Sequence, residues 1–161
     1  MDYTLSLDII LHINAIAILS VYLIFAAWQD YTTLTVPIEA AWLPYVVCIL
    51  DICMRLSTDQ IIGRFISALI IFGIFYFMAK FFSGGGGDAL VAPLIGLMLG
   101  LWYSMITILL ACFISVFFIL GRRLSHNNDS ANMSTAIPFI PGISIAFFCV
   151  YLGRLFVAFA T

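Results

Sequence analysis

The sequence predicts an all-α polytopic membrane protein of about six transmembrane helices, and three observations lead there. Hydrophobic residues make up 65% of the chain and charged residues 9%, a balance that a water-facing surface does not have. Apolar stretches of about twenty residues recur along it, the length a helix needs to cross about 30 Å of hydrocarbon. Polar or Gly/Pro-containing breaks separate them, and in lipid only helices or closed barrels satisfy their own backbone groups. All 161 residues are expected to form one membrane-embedded domain.

The first apolar stretch, 8–28, follows an acidic N-terminus, Met1-Asp2-Tyr3-Thr4, and is too long for the core of a signal peptide. It reads as a retained first helix. A short polar segment, 29–39, comes next and contains Val36-Pro37, with Pro37 suited to the first turn of a new helix. The second helix is expected over 40–56. Ser57-Thr58-Asp59 then supplies an N-cap cluster for a third helix over 60–82, with Lys80 near its end. Ser83-Gly84-Gly85-Gly86-Gly87 breaks the chain.

From Asp88 to Leu120 the sequence is almost wholly apolar, and one straight helix of that length would run about 50 Å, beyond a membrane thickness. Gly100, followed by the interfacial aromatics Trp102 and Tyr103, is where it should turn. That gives a fourth helix, Asp88–Leu99, too short to span squarely, and a fifth running to 120. Gly121-Arg122-Arg123 is expected to open a polar loop. Pro138-Phe139-Ile140-Pro141-Gly142 leads into a sixth helix ending at Ala160.

Charge sets the orientation and excludes some partners. With the N-terminus outside, Lys80, Arg122 and Arg123 face the cytoplasm while Arg55 and Arg64 fall outside, a slight positive-inside bias. The segment holding Asp30, the glycine run and the loop before Pro138 then share the cytoplasmic face. A net charge of -2 with no basic run argues against nucleic-acid binding. Cys48, Cys53, Cys112 and Cys149 lie inside apolar stretches with no C-x-x-C spacing, so they read as small buried hydrophobes and no metal is expected. No cofactor is expected either.

Asp30, placed just past the first helix, and Asp88, opening the fourth, are the candidate chemistry. Ionisable groups at membrane depth are expensive and usually functional. Each has an ordinary reading beside the functional one, a helix cap for Asp88 and a solvated helix-end charge for Asp30. Several glycines in a row are costly to order and unnecessary for capping, which points to close backbone approach or a mobile segment. If the two carboxylates meet in a poorly hydrated place they cannot both ionise easily, so a proton is shared and one apparent pKa rises. Such a pair can activate a water and protonate a leaving amine.

Three segments taken in order resemble the type IV prepilin peptidases, membrane aspartic proteases with a GxGD motif. Asp30-Tyr31-Thr32-Thr33-Leu34-Thr35-Val36-Pro37 resembles that family's first motif, an Asp followed by an aliphatic residue and Pro. Gly85-Gly86-Gly87-Asp88 resembles the second, at the family's usual separation from the first. Pro138-Phe139-Ile140-Pro141 resembles its late Pro-Phe-x-Pro element. The resemblance implies a multi-pass protein of the plasma (inner) membrane that removes the short basic leader from type IV prepilins or pseudopilins at the cytoplasmic face. Asp30 and Asp88 take the catalytic roles by that resemblance, with Pro37, Gly85, Gly86, Gly87, Pro138, Phe139 and Pro141 as motif and support positions.

The chain also departs from the family pattern. Leu90 stands where Lys is usual, Ile38 where Asn follows the first motif's Pro, and threonines replace basic residues around Asp30. Lys80 is the candidate electrostatic substitute. No room exists before Asp30 or between Val36 and Ala40 for the C-x-x-C insert linked to N-methylation, which implies a peptidase-only short form. Presenilin-like proteases fit less well, because Gln29 rather than Tyr precedes Asp30. A non-catalytic assembly or transport protein on the same fold is the alternative function. Glu39, just after Pro37, could attract a basic leader or compensate the start of its helix. Asp51 and Arg55 are spaced to pair on the second helix, as are Asp8 and His12 on the first.

Overall fold

The computed structural model describes residues 3–33, 35–36, 38–82, 86–125 and 139–160. Pro37, Gly85 and Pro138 lie outside them. The described residues form six α-helices: α1 Tyr3–Thr33, α2 Ile38–Arg55, α3 Thr58–Phe82, α4 Asp88–Leu99, α5 Leu101–Ser125 and α6 Ile140–Ala160. In α1, α3, α5 and α6 the segments Ile9–Thr33, Thr58–Phe81, Leu101–Gly121 and Ile140–Val157 are long and apolar enough to cross a membrane. The chain is an all-α polytopic membrane protein. Helix α2 carries Glu39, Asp51 and Arg55 within its 18 residues, and α4 is only 12 residues long.

Two helix ends differ most from the sequence expectation. Helix α1 does not stop near residue 28 but continues to Thr33, so Asp30 lies in its last turn rather than beyond it. The threonine hydroxyls of this last turn bond back along the helix: Thr32 Oγ1 donates to the Trp28 carbonyl at 2.9 Å and Thr33 Oγ1 to the Gln29 carbonyl at 2.9 Å. Helix α5 likewise runs past Gly121 to Ser125. The core of the expected polar loop, 126–138, lies outside the described residues.

At the start of α3, Ser57 N–H donates to Gln60 Oε1 at 3.4 Å while Ile61 N–H donates to the Ser57 carbonyl at 2.9 Å. The first bond is the Gln half of the capping box that a Ser-x-x-Gln spacing encodes, and the second opens the helical ladder.

Helix α4 is the centre of the bundle. Every residue from Val91 to Leu99 is buried, and the helix packs against α2, α3, α5 and α6. A helix apolar all round must be enclosed, and this enclosure explains how a segment too short to cross a membrane is held within one. Gly96 is the closest approach: a Cβ there would stand 2.9 Å from Ala68 Cα on α3. The expected turn at Gly100 is present, with φ 78°, a conformation only glycine adopts at little cost. Its N–H closes the helix on the Gly96 carbonyl at 2.9 Å. Arg64 Nη1 donates to the Met98 carbonyl at 2.8 Å, placing a cation on the negative end of α4. Ser104 Oγ donates to the Ile95 carbonyl at 3.0 Å from α5.

The largest buried cluster joins Leu19, Leu23 and Ala26 of α1 to Val91, Leu94 and Ile95 of α4 and to Ile140, Ile143 and Phe147 of α6. This packing sets the C-terminal end of α1 beside the N-terminal ends of α4 and α6.

Candidate active site

Three chain segments far apart in sequence converge at that end of the bundle. Asp30 is 8% exposed, and the Ile140 N–H, first in α6, donates to its Oδ2 at 3.1 Å. The Phe139 backbone N–H acts on the same carboxylate. Pro141 has no N–H to offer, so it occupies the first turn of α6 without loss and leaves the donors of Phe139 and Ile140 for Asp30. A carboxylate in the last turn of its own helix faces the negative end of that dipole, whereas the N-terminus of α6 presents the positive end of another. The second contact offsets the first. Ser144 Oγ of α6 donates to the Leu23 carbonyl of α1 at 3.1 Å, fixing the two helices in this register.

Asp88 is the first residue of α4, and its N-cap is Gly87, which has no side chain to cap with. Asp88 is therefore not the ordinary cap that the sequence alone allows. Its carboxyl is pushed up to about 7 by burial first and by the Asp30 carboxylate second. The second cause carries information, since residues 58 positions apart in sequence interact electrostatically. At neutral pH Asp88 retains a proton for much of the time, while at Asp30 the Ile140 and Phe139 donors offset part of what burial costs a charged carboxylate.

The described glycines divide in their roles. A Cβ at Gly87 would run into the Val36 side chain and come within 3.8 Å of Ile140 Cδ1, whereas one at Gly86 would meet nothing within 4 Å. Of the two physical reasons for a glycine run, close approach holds at Gly87. Val36, Gly87 and Ile140 thereby bring together parts of all three sequence motifs. Phe139 is half-buried and stacks obliquely on Phe75 of α3, with ring centroids 5.9 Å apart. It packs with Ala89 and Ala92 of α4.

Neither Glu39 nor Lys80 is among the groups that act on the two carboxylates. Glu39 is exposed in the first turn of α2. Lys80 is exposed in the last turn of α3, and the charge that acts on Asp88 is that of Asp30. Leu90, where a basic residue is usual, is half-buried, and its carbonyl accepts a hydrogen bond from Tyr45 Oη at 2.8 Å. Sequence reasoning missed Tyr45; nothing separates it locally from the other aromatics.

At the opposite end of the bundle, Asp51 accepts from Arg55 Nη2 at 3.4 Å, as its i,i+4 spacing predicts. His12 also joins Asp51, with Nδ1 3.1 Å from the same oxygen.

With this geometry in place, comparison with known proteins is specific about the family. A family model described as the type IV leader peptidase family matches residues 17–120, more than half of the chain and including both aspartates. No curated protein and no solved structure matches.

Proposed function

Because the chain belongs to the type IV leader peptidase family, we propose that it is a membrane aspartic endopeptidase that removes the short basic leader from type IV prepilin-like or pseudopilin substrates. In this reading the whole chain, 1–161, is one membrane-embedded domain of the plasma membrane, with the Asp30 and Asp88 end at the cytoplasmic face. It acts as a peptidase without the N-methylation activity. The observation that carries the proposal is the unequal pair: Asp30 takes backbone donors from α6, while Asp88 is half-buried within electrostatic reach of it, with its carboxyl raised to about 7.

The inequality assigns roles. Asp30, as carboxylate, removes a proton from a water whose oxygen attacks the scissile carbonyl carbon. Asp88, as carboxylic acid, gives its proton to the carbonyl oxygen, forming a neutral tetrahedral diol. Collapse returns that proton to Asp88 as the carbonyl reforms, and the proton on Asp30 passes to the leaving amine. Both aspartates end as they began. Glu39, exposed near the start of α2, supplies a negative charge for a basic leader. Phe139 and Pro141 support the site through the α6 N-terminus, and Gly86, Gly87 and the neighbouring Pro37, Gly85 and Pro138 complete the motif positions.

Co-expression with a prepilin, followed by the mobility change on leader loss, tests this. Asp30→Asn and Asp88→Asn should each abolish cleavage while the protein still inserts in the membrane. Cleavage that survives in both variants would sink the two-aspartate mechanism, whereas a wild type that removes no leader would favour the non-catalytic assembly or transport reading.

A further inference from the structure

We infer that Tyr45 is a positioning residue for Asp88: its phenol, bonded to the Leu90 carbonyl, ties the first turn of α4 to α2 and holds Asp88 at its distance from Asp30. The inference rests on the two-carboxylate reading above and concerns how that pair is kept in place.

The need for such a tie comes from Pro93. In a regular helix the N–H of residue 93 would donate to the Ala89 carbonyl, but proline has no N–H and its ring crowds that carbonyl. The turn Asp88-Ala89-Leu90 is therefore attached to the rest of α4 less firmly than an ordinary first turn. Upstream it is joined to glycines, and its own closure relies on Leu90 N–H and Val91 N–H, which both donate to the Gly87 carbonyl at 3.0 and 3.2 Å. The lower half of α4 has outside support from Arg64 and Ser104 at the Met98 and Ile95 carbonyls. Near Asp88 the corresponding support is the Tyr45 hydroxyl, 2.8 Å from the Leu90 carbonyl.

Helix α2 is suited to deliver it. Pro44, fully buried inside α2, immediately precedes Tyr45, and Ala41 and Cys48 are buried on the same helix. Tyr45 itself packs against two of the buried clusters, so its ring is fixed from both sides. The hydroxyl accordingly bonds a main-chain atom two residues from Asp88 and does not depend on the side chain at position 90.

Tyr22 provides an internal comparison. Its hydroxyl is also buried, but it has no hydrogen-bond partner among the described residues. Tyr22→Phe and Tyr45→Phe therefore delete the same atom, and only the second deletes a bond to α4.

The test measures leader cleavage by purified protein in detergent as kcat, KM and pH profile for wild type, Tyr45→Phe and Tyr22→Phe. Tyr45→Phe should lower kcat about tenfold with KM unchanged, the scale expected for one buried hydrogen bond that orients a reacting group. The alkaline limb of its profile should also move to lower pH as Asp88 separates from Asp30 and gains water. Tyr22→Phe should match wild type. Pro93→Ala restores the missing N–H, so Tyr45→Phe should cost less in that background; it also supplies the frame for the comparison if Tyr45→Phe alone accumulates poorly. Unchanged kcat and pH limb in Tyr45→Phe, a change in KM alone, equal losses at Tyr22, or strictly additive effects with Pro93→Ala would each overturn the tie. Asp88→Asn run in parallel separates the two readings. If it cleaves, the two-carboxylate mechanism fails and the tie with it; if it is inactive while Tyr45→Phe behaves as wild type, only the tie fails.

Discussion

Replacing Asp88 by Asn should make the protein more stable at alkaline pH and leave its stability unchanged in acid. A carboxyl whose folded-state pKa is raised is bound to its proton more tightly in the folded state than in the unfolded one. Its contribution to stability is therefore fully present below the ordinary value of 3.8 and is lost as pH rises through about 7. The interval is roughly three pH units, and at about 1.4 kcal/mol per unit the full cost of ionising Asp88 in place comes to about 4 kcal/mol. Asp88 is only partly buried, so screening by water reduces that figure, and about 2 kcal/mol is a working expectation. For a chain of this length 1 kcal/mol corresponds to about 2–4 °C in Tm. The variant should thus melt about 4–8 °C above wild type at pH 8.5, and the gap should close near pH 4. Thermal unfolding in detergent, followed by tryptophan fluorescence across that pH range, measures it. A gap of constant size at every pH would refute the reasoning, since an uncharged substitution effect has no reason to titrate.

Two further outcomes follow from the packing. Gly87→Ala should destabilise the protein by about 1–3 kcal/mol, the usual range for overpacking, and slow leader cleavage, because its Cβ meets Val36 beside Asp88; Gly86→Ala should leave both melting and cleavage rate near wild type. Equal effects at the two positions would count against close approach as the reason for glycine. Asp51→Ala removes a carboxylate 2% exposed that binds both His12 and Arg55. It should lower stability by about 1–3 kcal/mol and spare the cleavage rate, as measured by melting and by kcat on the same preparation.

The helices were legible because each depends on a local pattern. Apolar runs, the Ser57 cap and the glycine at position 100 mark their boundaries, and the split between α4 and α5 falls where Gly100 requires it. The end of α1 was not legible, since threonines usually disfavour helix, yet here they lie in its last turn with their hydroxyls bonded back to Trp28 and Gln29. Charge pairing was half legible. The i,i+4 bond from Arg55 to Asp51 follows from spacing, whereas His12 reaches across to α2, and no local rule states which helix will lie beside it. The same limit applies to Asp30. Its donor is 110 residues away, at a helix start whose neighbours are chosen by burial of Leu23, Ile140 and Ile143.

The missing basic residue at position 90 takes on a different meaning beside these contacts. A cation close to Asp88 would favour its ionised form and draw the carboxyl down toward the ordinary range. The proposed mechanism requires Asp88 to carry a proton at neutral pH, and with Leu90 in place the burial of Asp88 and the Asp30 charge act without opposition. Stabilisation of the negative partner is supplied elsewhere, at Asp30, by the N–H groups of Phe139 and Ile140. Those donors are part of the main chain, so they persist through side-chain substitution provided that α6 begins where it does. Pro141 helps to set that start, and Ser144 fastens it to α1. The asymmetry between the two carboxylates is thus built from helix ends and burial, which is why it does not call for a cation at position 90.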